Sequence, residues 1–191
     1  MALVKGTNCG FLLATPSGNP LGNDLEVMDT LAWSLKDTAP VGATKVTEIG
    51  WWCDNATEEA NFEVGIYDHN VGDNNPEAKV GDFSTTNAKG TDAGWKKVTG
   101  LNIPITAGTI YWIAVQLDDT ATTTNICFES SDGDRMDRKV GQTTLTDPWG
   151  ASTSLADNIN GIYAITDAPA PDPATATPNT AIISSMGCAH G

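Results

Sequence analysis

The chain has 191 residues and carries 10 Lys and Arg against 24 Asp and Glu, a formal net charge of -14. At this length one domain buries roughly 70% of its unfolded surface, enough for a real core. So acidic a surface excludes nucleic acid and anionic membranes as partners, because both bind through basic side chains; it favours solubility and cation binding.

At the N-terminus Lys5 is followed by Gly-Thr-Asn-Cys-Gly, and the apolar stretch Phe11 to Ala14 stops at Thr15-Pro16. This is too short for a secretory h-region, and no run approaches the ~18 apolar residues of a membrane span. The expected product is soluble, made in the cytoplasm and not exported by the common route. Residues 1–44 are rich in Gly, Pro and Asn, with apolar patches at Gly10 to Ala14 and Asp29 to Leu35, and read as an N-terminal arm with the first strands. Lys45 to Asp54 alternates, with Thr47, Ile49, Trp51 and Cys53 on one face and Val46, Glu48, Gly50 and Trp52 on the other. Asn55 to Ala60 suits one short helical turn. Asn61 to Tyr67 points Phe62, Val64 and Ile66 inward, and the residues from Asp68 to Lys79 read as a long polar loop.

Trp95 and Val98 precede a break at Thr99-Gly100, after which Leu101, Ile103 and Ile105 alternate up to a turn at Gly108. Ile110 to Leu117 is apolar on both faces except for Gln116, the pattern of a central strand with both faces covered. Asn125 to Glu129 and Gly161 to Ile165 supply two more strands, and Gly141 to Asn160 is polar and ambiguous. Short strands between polar turns, without a sustained helical period, predict an all-β fold: an antiparallel two-sheet sandwich over residues 45–166, jelly-roll-like, with an extended N-terminal arm and a C-terminal tail. The tail divides into a Pro/Ala/Thr-rich, polyproline-like linker (167–178) and a terminal peptide (179–191). In that peptide Ile182, Ile183 and Cys188 are candidate assembly residues, because a short apolar peptide on a linker can add to a neighbour as a strand.

The run KVTEIGWW (Lys45 to Trp52), then NFEVGIYDHN, Pro76 and GWKKVTGLNIPITAGTIYWIAV (Gly94 to Val115) resembles a family of jelly-roll β-sandwich domains. These occur on phage tail and virion proteins and on bacterial surface proteins. The likeness rests on Val64 to Tyr67, Pro76, Trp95 and Gly108 to Val115, and covers about Lys45 to Thr166. It implies a fold and a particle-surface setting, and brings no catalytic residue and no ligand.

Candidate chemistry is sparse. No pair of the four cysteines has the C-x-x-C spacing of a zinc or redox motif; Cys53 and Cys127 fall in strands as small core side chains, and Cys9 and Cys188 lie in the terminal segments. The histidines are His69 and His190, and no G-x-S-x-G elbow occurs, so no nucleophilic triad is legible. No cofactor is expected. The acidic loops, Asp68, Asn70 and Asp73 in one and Asp132, Asp134 and Asp137 in another, offer oxygen ligands for a structural Ca²⁺, although the distal Glu of an EF-hand is missing. Trp52 and Trp149, beside Asp118 and Asp119, are candidate ligand-binding residues: a sugar ring lies flat on an exposed indole while carboxylates hold its hydroxyls. The leading reading is a non-enzymatic virion or tail surface protein, a decoration or adhesin-like module, whose partners are other copies of itself or other virion proteins, on the surface of an extracellular particle. The alternative is a stand-alone carbohydrate-binding module acting on surface glycans through exposed Trp and acidic loops.

Overall fold

The computed structural model describes residues 1–20, 24–28, 30–53, 60–88, 93–118, 125–131, 133 and 136–169. Among these the chain is all-β, without a helix, and its thirteen strands form two sheets. The first sheet holds β1 (Gly10–Leu12), β2 (Asp24–Val27), β4 (Lys45–Cys53), β7 (Gly94–Pro104), β9 (Asn125–Ser130), β12 (Asn158–Asn160) and β13 (Ile162–Thr166). The second runs β11 (Ser154–Ala156), β10 (Met136–Val140), β3 (Leu31–Thr38), β8 (Ile110–Asp118), β5 (Ala60–Asn70), β6 (Asn75–Ala88). Every described pairing between strands is antiparallel except β1 on β13.

The two inner faces interlock to form a β-sandwich. Trp51 of β4 meets Phe62 of β5 edge to face at 6.2 Å, and Trp33 of β3 lies 6.1 Å from Phe128 of β9. Ile49, Val64, Ile66, Ile113, Val115, Leu117 and Ile162 fill the space between them and are fully buried. A bulge between Val46 and Glu48 breaks the strict alternation of β4, so Val46 joins Ile49 in the core. Opposite it, β7 absorbs the expected break at Thr99-Gly100 within one strand, with Gly100 at φ 75°.

Residues 1–44, expected as an arm with the first strands, are built into the sandwich. β3 is a central strand paired with β8 and β10, Leu3 and Cys9 are buried, and Phe11 N–H donates to Asp37 at 2.7 Å. The long polar loop expected from Asp68 to Lys79 is also absent. β5 continues to Asn70 and β6 starts at Asn75, leaving a four-residue turn closed by Asn74 N–H on Asn70 C=O at 2.8 Å. Backbone pairing at a sheet edge needs no apolar side chains, so this hairpin has no hydrophobic signature. The helical turn expected over 55–60 lies outside the described residues up to 59; Ala60 opens β5.

Irregular chain covers the aromatic part of each sheet's outer face. Over the first, the segment 13–20 crosses a row made by Trp52, Trp95 and Tyr163, whose rings meet edge to face at 5.3 Å at each step. Gly50 lets Tyr163 lie on the sheet, because a Cβ there would fall 2.6 Å from its ring and 2.5 Å from Lys96 C=O. Over the second, the strap 141–153 lays Leu145 and Trp149 on Ala32, Tyr67, Trp112 and Ala114. Its backbone is stitched down by Tyr67 O–H on Thr146 C=O at 2.7 Å and Trp149 N–H on Glu77 C=O at 2.8 Å. This strap is why β8 is apolar on both faces; Gln116, its polar exception, donates to Gln142 C=O at 2.8 Å.

Candidate functional site

The aromatic candidates do not stand where a sugar could reach them. Trp149 is 1% exposed and Trp52 is 7% exposed. Trp149 packs edge to face on Tyr67 at 5.0 Å, and Trp52 on Trp95. Trp52 does point away from Trp51, but a sheet face turned from the core is still buried when another chain segment crosses it. Asp118 ends β8, its side chain lying outside the description, and Asp119, Asp132, Asp134, Ile182, Ile183 and Cys188 lie outside the described residues.

Asp137 is not a loop ligand. It sits in β10 with its side chain fully buried and accepts a hydrogen bond from the Ser152 hydroxyl of the strap. Burial pushes its pKa up to about 6, against the opposing pull of Ser152, the Arg138 backbone, the Trp149 indole N–H and the Lys139 charge. The Trp149 N–H meets the carboxylate outside ordinary hydrogen-bond geometry, and Oδ1 has no full partner among the described residues. Lys139, whose own pKa burial lowers, donates to Trp149 C=O and to Thr146 Oγ1 at 3.0 Å, 5.6 Å above the Trp149 ring. The cluster ties strap to sheet.

Glu48 plays the corresponding part under segment 13–20. Oε1 accepts from Thr15 Oγ1 at 2.6 Å and Tyr163 O–H at 2.7 Å, and Oε2 pairs with Lys97 Nζ at 3.0 Å. Burial raises its pKa, but the bonds from Thr15, Tyr163 and Lys97 together outweigh it and hold the carboxyl below its ordinary value.

Three of the sequence candidates do come together, at the β5–β6 turn. Asn70 Oδ1 accepts from Gly72 N–H at 2.9 Å and Asp73 N–H at 3.2 Å, its amide reaches Asp73 Oδ2 at 3.3 Å, and Asp68 lies two residues back on β5. These bonds shape a turn, and no group of three or more His, Cys, Asp or Glu side chains able to hold a metal ion occurs among the described residues. Two adjoining cavities flank the turn, of about 470 and 370 Å³, with Glu77 in the wall of both. His69, Glu77 and Ile110 carry no signal of a shared cleft in the sequence, because nothing in one dimension places β6 and the 108–110 turn beside Asp68.

The chain's exit from the sandwich is also fixed. Asp167 accepts from Thr44 N–H at 2.7 Å, Thr44 Oγ1 at 2.5 Å and Lys45 N–H at 3.0 Å, which lowers its pKa to about 2, the Thr44 hydroxyl being the largest cause. Comparison with protein-family models, with curated proteins and with solved structures finds no match.

Proposed function

We propose that this protein is a non-enzymatic surface module of a phage virion or tail, a jelly-roll-like sandwich that self-associates or docks on neighbouring virion proteins through its C-terminal segment. The observation that supports it is the Asp167 clamp. Three donors from Thr44 and Lys45 fix the point from which a Pro/Ala/Thr-rich segment departs, so a peptide carrying Ile182 and Ile183 starts from a defined place beside the sheet. A linker of that composition spans about 3.1 Å per residue, so the twelve-residue stretch 167–178 reaches roughly 35 Å, far enough to meet an adjacent copy. The chain's own segments cover the aromatic rows of the two outer faces, and an edge strand remains able to pair with a neighbouring chain.

Light scattering on the full chain beside a version ending at Ala168 tests this. A defined oligomer that becomes monomeric on truncation supports assembly through the tail; two monomers of the same behaviour overturn it.

A further inference from the structure

The cavities beside the β5–β6 turn collect polar groups that the described residues leave without a full set of partners. Trp112, fully buried, donates its indole N–H to His69 Nδ1 at 3.2 Å. A neutral imidazole accepting at Nδ1 carries its proton on Nε2. Burial, with the Lys36 charge as the smaller cause, lowers the pKa of His69 and keeps the ring neutral near pH 7. Nε2–H is therefore a donor oriented by a buried indole, and it has no acceptor among the described residues. The Asp68 and Glu77 carboxylates are exposed and have no hydrogen-bond or ion-pair partner there either. All three line the larger cavity, together with the aliphatic side chain of Ile110. On the far side of Glu77 the smaller cavity adds Pro76 and Asn75, whose Oδ1 is buried without a hydrogen bond.

We propose that these paired cavities bind a neutral oligosaccharide. Its hydroxyls donate to Asp68 and Glu77, a hydroxyl or ring oxygen accepts from His69 Nε2–H, and a C–H face lies on Ile110. Two unpartnered carboxylates and one fixed donor among the residues lining a cavity, with an aliphatic side chain beside them, suit a polyol, whose hydroxyls both donate and accept. A metal ion is a poorer fit, because His69 presents a proton and not a lone pair at Nε2. An anionic ligand is opposed by the two carboxylates and by the net charge of -14. The site is complete in one copy of the chain and does not depend on assembly through the tail.

The test is saturation-transfer NMR and calorimetry on the full chain with lactose, maltotriose, chitotriose and mannotriose, each to about 10 mM, the range in which weak single-site glycan binding is seen. At least one is expected to bind, with affinity falling about tenfold in Glu77→Gln and less in Asp68→Asn, as for loss of one charge-assisted hydrogen bond. Both residues are exposed, so neither substitution is expected to move the unfolding midpoint. Binding by none of the four, binding unchanged in Glu77→Gln, or binding that requires added calcium chloride and is abolished by EDTA each overturns the proposal.

Discussion

Under segment 13–20 a buried carboxylate, Glu48, meets donors from Thr15, Tyr163 and Lys97; under strap 141–153 another, Asp137, has Ser152 on one oxygen and no full partner on the other. Burial pushes both up, yet Glu48 ends below its ordinary pKa and Asp137 rises to about 6. Depth of burial decides the direction: hydrogen bonds and a nearby Lys oppose desolvation at both, and they prevail at Glu48, 9% exposed, but not at the fully buried Asp137. The consequences for stability are opposite in sign. A depressed Glu48 stabilises above its unfolded value, and that contribution is lost as pH falls through its folded pKa. A raised Asp137 is most favourable when protonated, and its benefit is lost as pH rises from about 4 through about 6.

The largest expected effect separates the faces by depth. Trp149→Ala, removing the buried anchor of the strap, should cost about 3–5 kcal/mol in urea unfolding, whereas Trp95→Ala, at a half-buried ring over the first sheet, should cost about half as much. If the two cost the same, the strap is no better anchored than the segment.

Glycine substitution sharpens the contrast. A Cβ at Gly50 meets Lys96 backbone and the fully buried Tyr163 ring, while one at Gly65 meets the half-buried Phe83 ring at 2.2 Å, which can swing toward solvent. Gly50→Ala should destabilise by about 3 kcal/mol and Gly65→Ala by about 1, read from thermal or urea unfolding.

The carboxylates should then split by sign. Glu48→Gln is expected to lose about 1–2 kcal/mol at pH 7, since three donors lose a charged acceptor, and Asp137→Asn to leave stability unchanged or raised. The smallest effect lies at the exit. Asp167→Ala should speed hydrogen exchange at the Thr44 and Lys45 amides without moving the unfolding midpoint, because the carboxylate holds those N–H groups from an exposed position.

What the sequence made legible follows the same division. β4 shows in apolar alternation, and β8 and β13 in near-continuous apolar runs, because both faces of the latter are covered. β6 and β10 do not show, since an edge strand can be polar throughout and a carboxylate such as Asp137 can be buried by a strap whose Ser152 lies 15 residues on in sequence. That Trp51 and Trp52 point to opposite faces is readable from parity, but what covers Trp52 is a matter of topology. Gly50 and Gly65, in mid-strand, were the available signal that rings lie across both outer faces. The cleft at the β5–β6 turn was half legible: Asp68, Asn70 and Asp73 are adjacent in sequence, whereas Glu77 and Ile110 arrive from β6 and β8.

Urea unfolding of the wild-type chain and Asp137→Asn, from pH 7.5 down to pH 4.5, tests the opposed carboxylates most directly. With Asp137 raised from 3.8 to about 6, the wild type should gain stability relative to the variant as pH falls, by about 2 kcal/mol at pH 4.5. Parallel profiles for the two proteins would contradict the account, placing no uncompensated charge beneath the strap.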